Sequence, residues 1–132
     1  MSETSYTLKN LKEIEDATGG RAPGVEGRFA RKHIDSDHLG VSLFHYAPEV
    51  RSRAAHKHRE QEEVYVVVAG SGEALLDGEV LPLRIWDVLR VSPQTVRAFA
   101  AGDEGLELVA VGSDRPQDGD GEMAEATWPD AA

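Results

Sequence analysis

Beyond residue 28, apolar and β-branched residues fall in short runs separated by Gly, Asp, Ser and Pro, a pattern of many brief strands. Residues 29–34, 41–46 and 54–58 form the first three runs. Residues 63–69, Glu-Val-Tyr-Val-Val-Val-Ala, are apolar on both faces and predict a strand buried on both, ended by Gly70-Ser71-Gly72. Asp77-Gly78, set between 73–76 and 79–83, signals a two-residue hairpin. Further strands are predicted at 88–91, 95–100 and 106–111. Ahead of them, Asn10-Leu11-Lys12-Glu13 reads as a capped helix start, with Gly19-Gly20 as its stop and Leu11 and Ile14 as a buried stripe. Closely spaced strands behind one small helix predict an all-β sandwich or barrel.

Composition narrows the class. The 132 residues are one domain's worth, with 40% hydrophobic and 29% charged positions, a globular balance. No apolar run approaches the roughly 18 residues of a membrane span, and the polar start has no secretory pattern, so a soluble cytoplasmic protein is expected. Without cysteine, disulfides, thiolate metal sites and cysteine nucleophiles are excluded. A formal charge of −10 argues against nucleic acid or an anionic membrane as partner. Residues 113–132 hold six acids and one base, which divides the chain into a lead-in (1–24), a β-barrel (25–112) and an acidic tail (113–132). Trp128 leaves two fates open for that tail, solvated or anchored.

All five histidines lie between 33 and 58, and His56-Lys57-His58 followed by Glu63 is the sharp feature. On a strand, side chains at i and i+2 share a face about 6.6 Å apart. Two imidazoles so placed converge on one ion at about 2.1 Å each. The loop 59–62 lets the next strand return antiparallel and brings Glu63 back to the pair. Two histidines and a carboxylate with positions left open suit Fe(II) and accept Mn, Ni or Zn.

These residues resemble the cupin superfamily, whose first motif is a glycine, five residues, His-x-His, three or four residues, Glu, six residues and Gly. The pair falls on His56 and His58, the glutamate on Glu63 and the closing glycine on Gly70, while Val50 stands where the opening glycine belongs. In the second motif, a glycine, five residues, Pro-x-Gly, two residues, His, three residues and Asn, the register starts at Trp86. Ser92, Gln94 and Ala101 replace its proline, glycine and asparagine, and Arg97 replaces its metal-binding histidine. The chain is thus similar to small single-domain bacterial cupins with an arginine in the second motif. The resemblance implies a cupin-type jelly-roll β-barrel, a homodimer, and activities ranging over dioxygenases, isomerases, epimerases and decarboxylases.

Arg97 divides the expectation. A guanidinium has no lone pair to donate, and at about 5 Å with an effective dielectric of about 20 it repels a divalent ion by roughly 6 to 7 kcal/mol. In one self-consistent pocket a divalent metal sits on His56, His58 and Glu63, while Arg97 and Tyr65 bind a small anionic substrate. In the other no metal binds, Arg97 pairs with Glu63, and the barrel binds or senses a small molecule; a scaffold role is the third reading. His45 shares a face with Val41 and Leu43, either as a proton shuttle in the pocket or as a hydrogen-bonded core residue. Phe44, Tyr46, Tyr65, Trp86 and Phe99 would wall the pocket if they face inward, and otherwise pack as core. His33 and His38 are expected at the surface, and Gln61 is a remote candidate ligand.

Overall fold

The computed structural model describes residues 5–116 and 118–129; the first four residues of the lead-in and the last three of the tail lie outside the described residues. After a single 3-10 turn, Leu11–Glu13, come eight strands: β1 (Val25–Phe29), β2 (Gly40–Tyr46), β3 (Ala54–His58), β4 (Glu63–Leu76), β5 (Glu79–Leu83), β6 (Val88–Val91), β7 (Arg97–Gly112) and β8 (Gly121–Glu125). They form one antiparallel sheet in which β1-β2-β7-β3-β8 is the main path, and β4 bonds β5, β6 and β7. The two long strands curl the sheet. The first half of β7 pairs Gly72–Leu76 of β4, and its second half pairs both β2 and the first half of β4.

The glycines expected to end a strand instead bend it. β4 runs through Gly70-Ser71-Gly72 with register shifts at Val67/Ala69 and Gly70/Gly72. A Cβ at Gly70, whose φ is 71°, would lie 2.0 Å from the Gly105 carbonyl oxygen, and one at Gly72 equally close to that of Ala100. Only a residue without a side chain lets the strands cross there. For the same reason the strands expected at 95–100 and 106–111 are one strand, β7. The Asp77-Gly78 hairpin stands as expected, with φ of 49° and 88° at its two central residues.

Three boundaries differ from expectation. The first strand is Val25–Phe29 rather than 29–34, because the chain turns at once: Ile34 N–H donates to Ala30 O (3.0 Å) and Asp35 takes φ 53°. The N-terminal helix is only the 3-10 turn, capped by Asn10 as read, with Ile14 buried behind it. Tertiary bonds displace the longer helix: Ala17 N–H donates to Gly27 O (2.7 Å), and Asp16 accepts from the backbone of Thr18 and Gly27. The acidic tail contains β8, which pairs residue by residue with β3 from Ala54↔Glu125 to His58↔Gly121. Trp128 then tucks against Ala55, Leu75, Ala98 and Ala100, donates from Nε1 to Ser52 O (2.9 Å) and lies under the Arg51 guanidinium.

The main core fills the barrel with Tyr46, Tyr65, Val67, Phe99, Leu106 and Leu108 among others. No helix among the described residues is long and apolar enough to cross a membrane.

Candidate metal centre

Strand alternation sets the site. On β3, Ala55 packs into the small core around Trp128 and Lys57 approaches Glu122 (3.9 Å), while His56 and His58 turn to the opposite face. Their rings meet edge to face, centroids 5.1 Å apart. The turn 59–62 returns the chain so that Glu63, first residue of β4, places Oε1 3.4 Å from His56 Nε2 and 3.2 Å from His58 Nε2. One donor atom from each residue lies within 4.8 Å of the other two. Donors about 2.1 Å from a common ion stand about 3.0 to 3.4 Å apart in octahedral or tetrahedral arrangements, which the two Glu63–histidine distances match, while the triad as a whole spans up to 4.8 Å.

Each donor is held from behind. Asp120, wholly buried, accepts from His58 Nδ1 (2.8 Å) and from the backbone N–H groups of Glu60 (2.7 Å) and Gln61 (2.8 Å). With Nδ1 committed, the buried Nε2 of His58 makes no hydrogen bond among the described residues and stands 3.2 Å from Glu63 Oε1 as an ion-pair contact. The Tyr65 hydroxyl donates to Glu63 Oε1 at 2.6 Å. Arg97, fully buried and in register with His56, donates from Nη1 to Pro93 O (3.1 Å) and Thr95 O (2.7 Å) and sets Nη2 3.4 Å from Glu63 Oε1.

Burial alone would raise the Glu63 carboxyl, but His56, His58 and Tyr65 outweigh it and hold the group well below the usual carboxylate range. Burial likewise raises Asp120, yet His58 and the two backbone N–H groups bring it down to about 2. At His58 burial opposes the charged form, and the Glu63 and Asp120 carboxylates still carry the pKa up. Burial and the Glu63 charge push the Tyr65 phenol well above its ordinary value, fixing it as a donor.

The donors open on a cavity of about 670 Å³, lined also by Phe29, Val41, Phe44, Gln61 and Met123, with Arg31, Lys32 and Arg115 around it. A more open hollow of about 730 Å³ under the lead-in, between Leu8 and His33, gathers no comparable donor set.

No protein-family model matches this chain, and no curated protein sequence does. Solved structures do. A cupin protein (BF4112) from Bacteroides fragilis superposes with TM-score 0.70 at 18% identity, over 86% of this chain and 88% of that one. This chain has the cupin fold. The polyketide cyclase RemF from Streptomyces resistomycificus gives TM-score 0.72 at 14% identity, over 94% of this chain and 87% of that one. A salicylate 1,2-dioxygenase from Pseudaminobacter salicylatoxidans gives 0.61 at 17% identity, covering 70% of this chain, which spans only 27% of the enzyme. At these identities the likeness is one of fold.

Within that cupin barrel His56, His58 and Glu63 converge, and Tyr65 and Arg97 come to the same carboxylate. Neither of these two lines the cavity: both support Glu63 from behind, so Arg97 does not face a bound molecule. His45 does not point into the pocket. Ser42 and Phe44 face the cavity, and His45, alternating with them, binds Glu107 Oε2 through Nδ1 (3.1 Å) on the barrel exterior. Phe44 is a wall, Tyr46, Tyr65 and Phe99 are core, and Trp86 is exposed. His33 stands at the rim, His38 meets Asp114 (3.1 Å), and Gln61 donates from Nε2 to Ser113 O (2.9 Å). Asp120 went unnoticed in the sequence as one acid among six; only its flanking glycines set it apart.

The donor types suit a divalent ion, while the buried Arg97 guanidinium, 3.4 Å from Glu63 Oε1, opposes one. Two neutral imidazoles and an ionised carboxylate are the ordinary ligands of such an ion, and a carboxylate on the far nitrogen of a ligating histidine is the usual outer support. The unpartnered Nε2 of His58 is where such a ligand atom is needed.

Proposed function

We propose that this chain binds a divalent metal ion (Fe, Mn, Ni or Zn) on His56, His58 and Glu63, and holds a small anionic molecule beside it. The observation that supports this is the convergence of three donor atoms within 4.8 Å of one another on a cavity of about 670 Å³. The bound ion would supply Lewis-acid polarisation of a ligand oxygen, and redox chemistry where it is iron.

The protein's own residues do the remainder. Asp120 keeps the His58 proton on Nδ1 and leaves Nε2 free for the cavity. Tyr65 and Arg97 hold Glu63 Oε1 and keep it ionised. Phe44 and Ala110 present an apolar wall on one side of the donors. A metal-dependent dioxygenase or isomerase reaction on the bound anion is the chemistry we propose, in keeping with neighbours named as a dioxygenase and a cyclase. The fold hosts several chemistries, so the reading rests on the donor set rather than on the fold. We read the protein as a cytoplasmic homodimer, with the exposed apolar side chains around the β5–β6 turn, Ile85, Trp86 and Val88, as the support for self-association.

Arg97 favours a second reading, a metal-free barrel in which the Arg97–Glu63 pair replaces the ion and the cavity only binds a ligand. Calorimetric titration of chelator-treated protein with Mn(II) separates the two. Saturable one-site uptake that is lost in both His56→Ala and Glu63→Gln supports the metal site. Absence of uptake by the wild type supports the ion pair.

A further inference from the structure

Arg31 and Arg115 line the cavity, both half-buried. Neither meets a carboxylate among the described residues. Arg31 donates from Nη2 to Ser113 O (3.2 Å) and reaches Asp37 O at 3.5 Å; Arg115 reaches Pro116 O at 3.4 Å. A carbonyl is neutral and each guanidinium carries five N–H donors, so both retain uncompensated charge and unused donors. Exposed Lys32 adds a third cation in a chain of net charge −10. Of the carboxylates facing the cavity, Glu63 and Asp120 are committed to His56, His58, Tyr65 and Arg97, which leaves only Glu15 at the rim. Another part of the lining is apolar, where Phe29 and Phe44 pack edge to face with centroids 5.6 Å apart.

From this we infer that the cavity takes an amphiphilic organic anion, whose flat apolar body lies against Phe44 and Phe29 and whose carboxylate or equivalent is held by Arg31 and Arg115. The inference deepens the proposed function by naming the ligand class and moving the anion site from Arg97 to these two arginines. Arg97 is sealed behind Glu63 and cannot serve. The volume lies within the roughly 300 to 1,000 Å³ of small-molecule sites, room enough for a body of two or three rings.

The probes are 2-naphthoate and its neutral analogue 2-naphthalenemethanol, titrated calorimetrically into the full chain as isolated and after chelator treatment. The expected result is naphthoate affinity about tenfold or more above the alcohol, weakened about tenfold by Arg31→Gln and by Arg115→Gln with alcohol binding unchanged. Arg31→Lys should fall between. In the wild type alone, raising salt should weaken naphthoate and spare the alcohol, a readout independent of any variant's folding. Equal affinity for the two probes, no salt dependence, or no binding of either overturns the inference. Naphthoate binding that requires metal, vanishes in His58→Ala and ignores both arginine substitutions also overturns it, while sustaining the metal site. Arginine-dependent binding in metal-free protein sustains it even where the metal reading fails.

Discussion

Asp120→Asn asks whether the buried carboxylate behind His58 sets which imidazole nitrogen faces the cavity. Asp120 accepts three hydrogen bonds, from His58 Nδ1 (2.8 Å), Glu60 N (2.7 Å) and Gln61 N (2.8 Å), with no exposed side-chain surface. Asparagine has the same shape but one acceptor oxygen. If that oxygen serves the two backbone N–H groups, the amide nitrogen meets His58, whose Nδ1 must become an acceptor and whose proton moves to Nε2. The reverse rotamer sets donors against both N–H groups and costs more. Losing charge assistance amounts to about 1 kcal/mol per hydrogen bond, so the variant should lose about 2 to 3 kcal/mol in urea denaturation. Its affinity for Mn(II) should fall about 10- to 100-fold, because Nε2 no longer offers a lone pair. Nitrogen-15 resonances of metal-free protein at about pH 9 should show the neutral ring protonated on Nδ1 in the wild type and on Nε2 in the variant. A stability loss under about 0.5 kcal/mol, unchanged metal affinity and the same tautomer in both proteins would show that Asp120 does not set the ring.

Trp128→Ala should cost about 3 to 5 kcal/mol and strip the amides of Gly121–Glu125 of hydrogen-exchange protection, since the indole anchors the end of the chain; wild-type amides that already exchange freely would contradict the docked β8. Gly72→Ala should cost about 3 kcal/mol or more by driving a Cβ onto Ala100 O, whereas Gly78→Ala, with open space at φ 88°, should cost only about 1 kcal/mol in the same denaturation series. Similar losses for the two would argue against the close crossing. The Asp16 carboxyl is held below its ordinary value by hydrogen bonds from Gly27 and Thr18, so its contribution is complete at neutral pH and is lost as pH falls below about 4. Asp16→Asn should therefore flatten the acid limb of the stability profile, and identical limbs would show the clamp to be idle.

The His56–His58–Glu63 triad was legible because its determinants are local. An i, i+2 pair on a strand, a four-residue return and a carboxylate at the start of an apolar strand fix the geometry without distant information. The hairpin at Asp77-Gly78 was legible for the same reason. What escaped depends on partners far along the chain. Gly70 and Gly72 look like a stop until Gly105 and Ala100 are seen crossing them, and Asp120 looks like a solvated acid until β8 lies beside β3. Ala17 abandons a helix because Gly27 offers its carbonyl ten residues later. The role of Arg97 was only half legible. Its position in the second motif put it near the triad, but its place behind Glu63 follows from the Pro93 and Thr95 carbonyls that hold it there.

Whether His56, His58 and Glu63 hold an ion is read by elemental analysis of protein purified without a histidine tag. Wild type and His58→Ala would be measured side by side, as isolated and after incubation with added metal. Near-stoichiometric Fe, Mn, Ni or Zn is expected in the wild type, and its disappearance in the variant. A wild type that is empty as isolated and takes up none of the four would contradict the metal site.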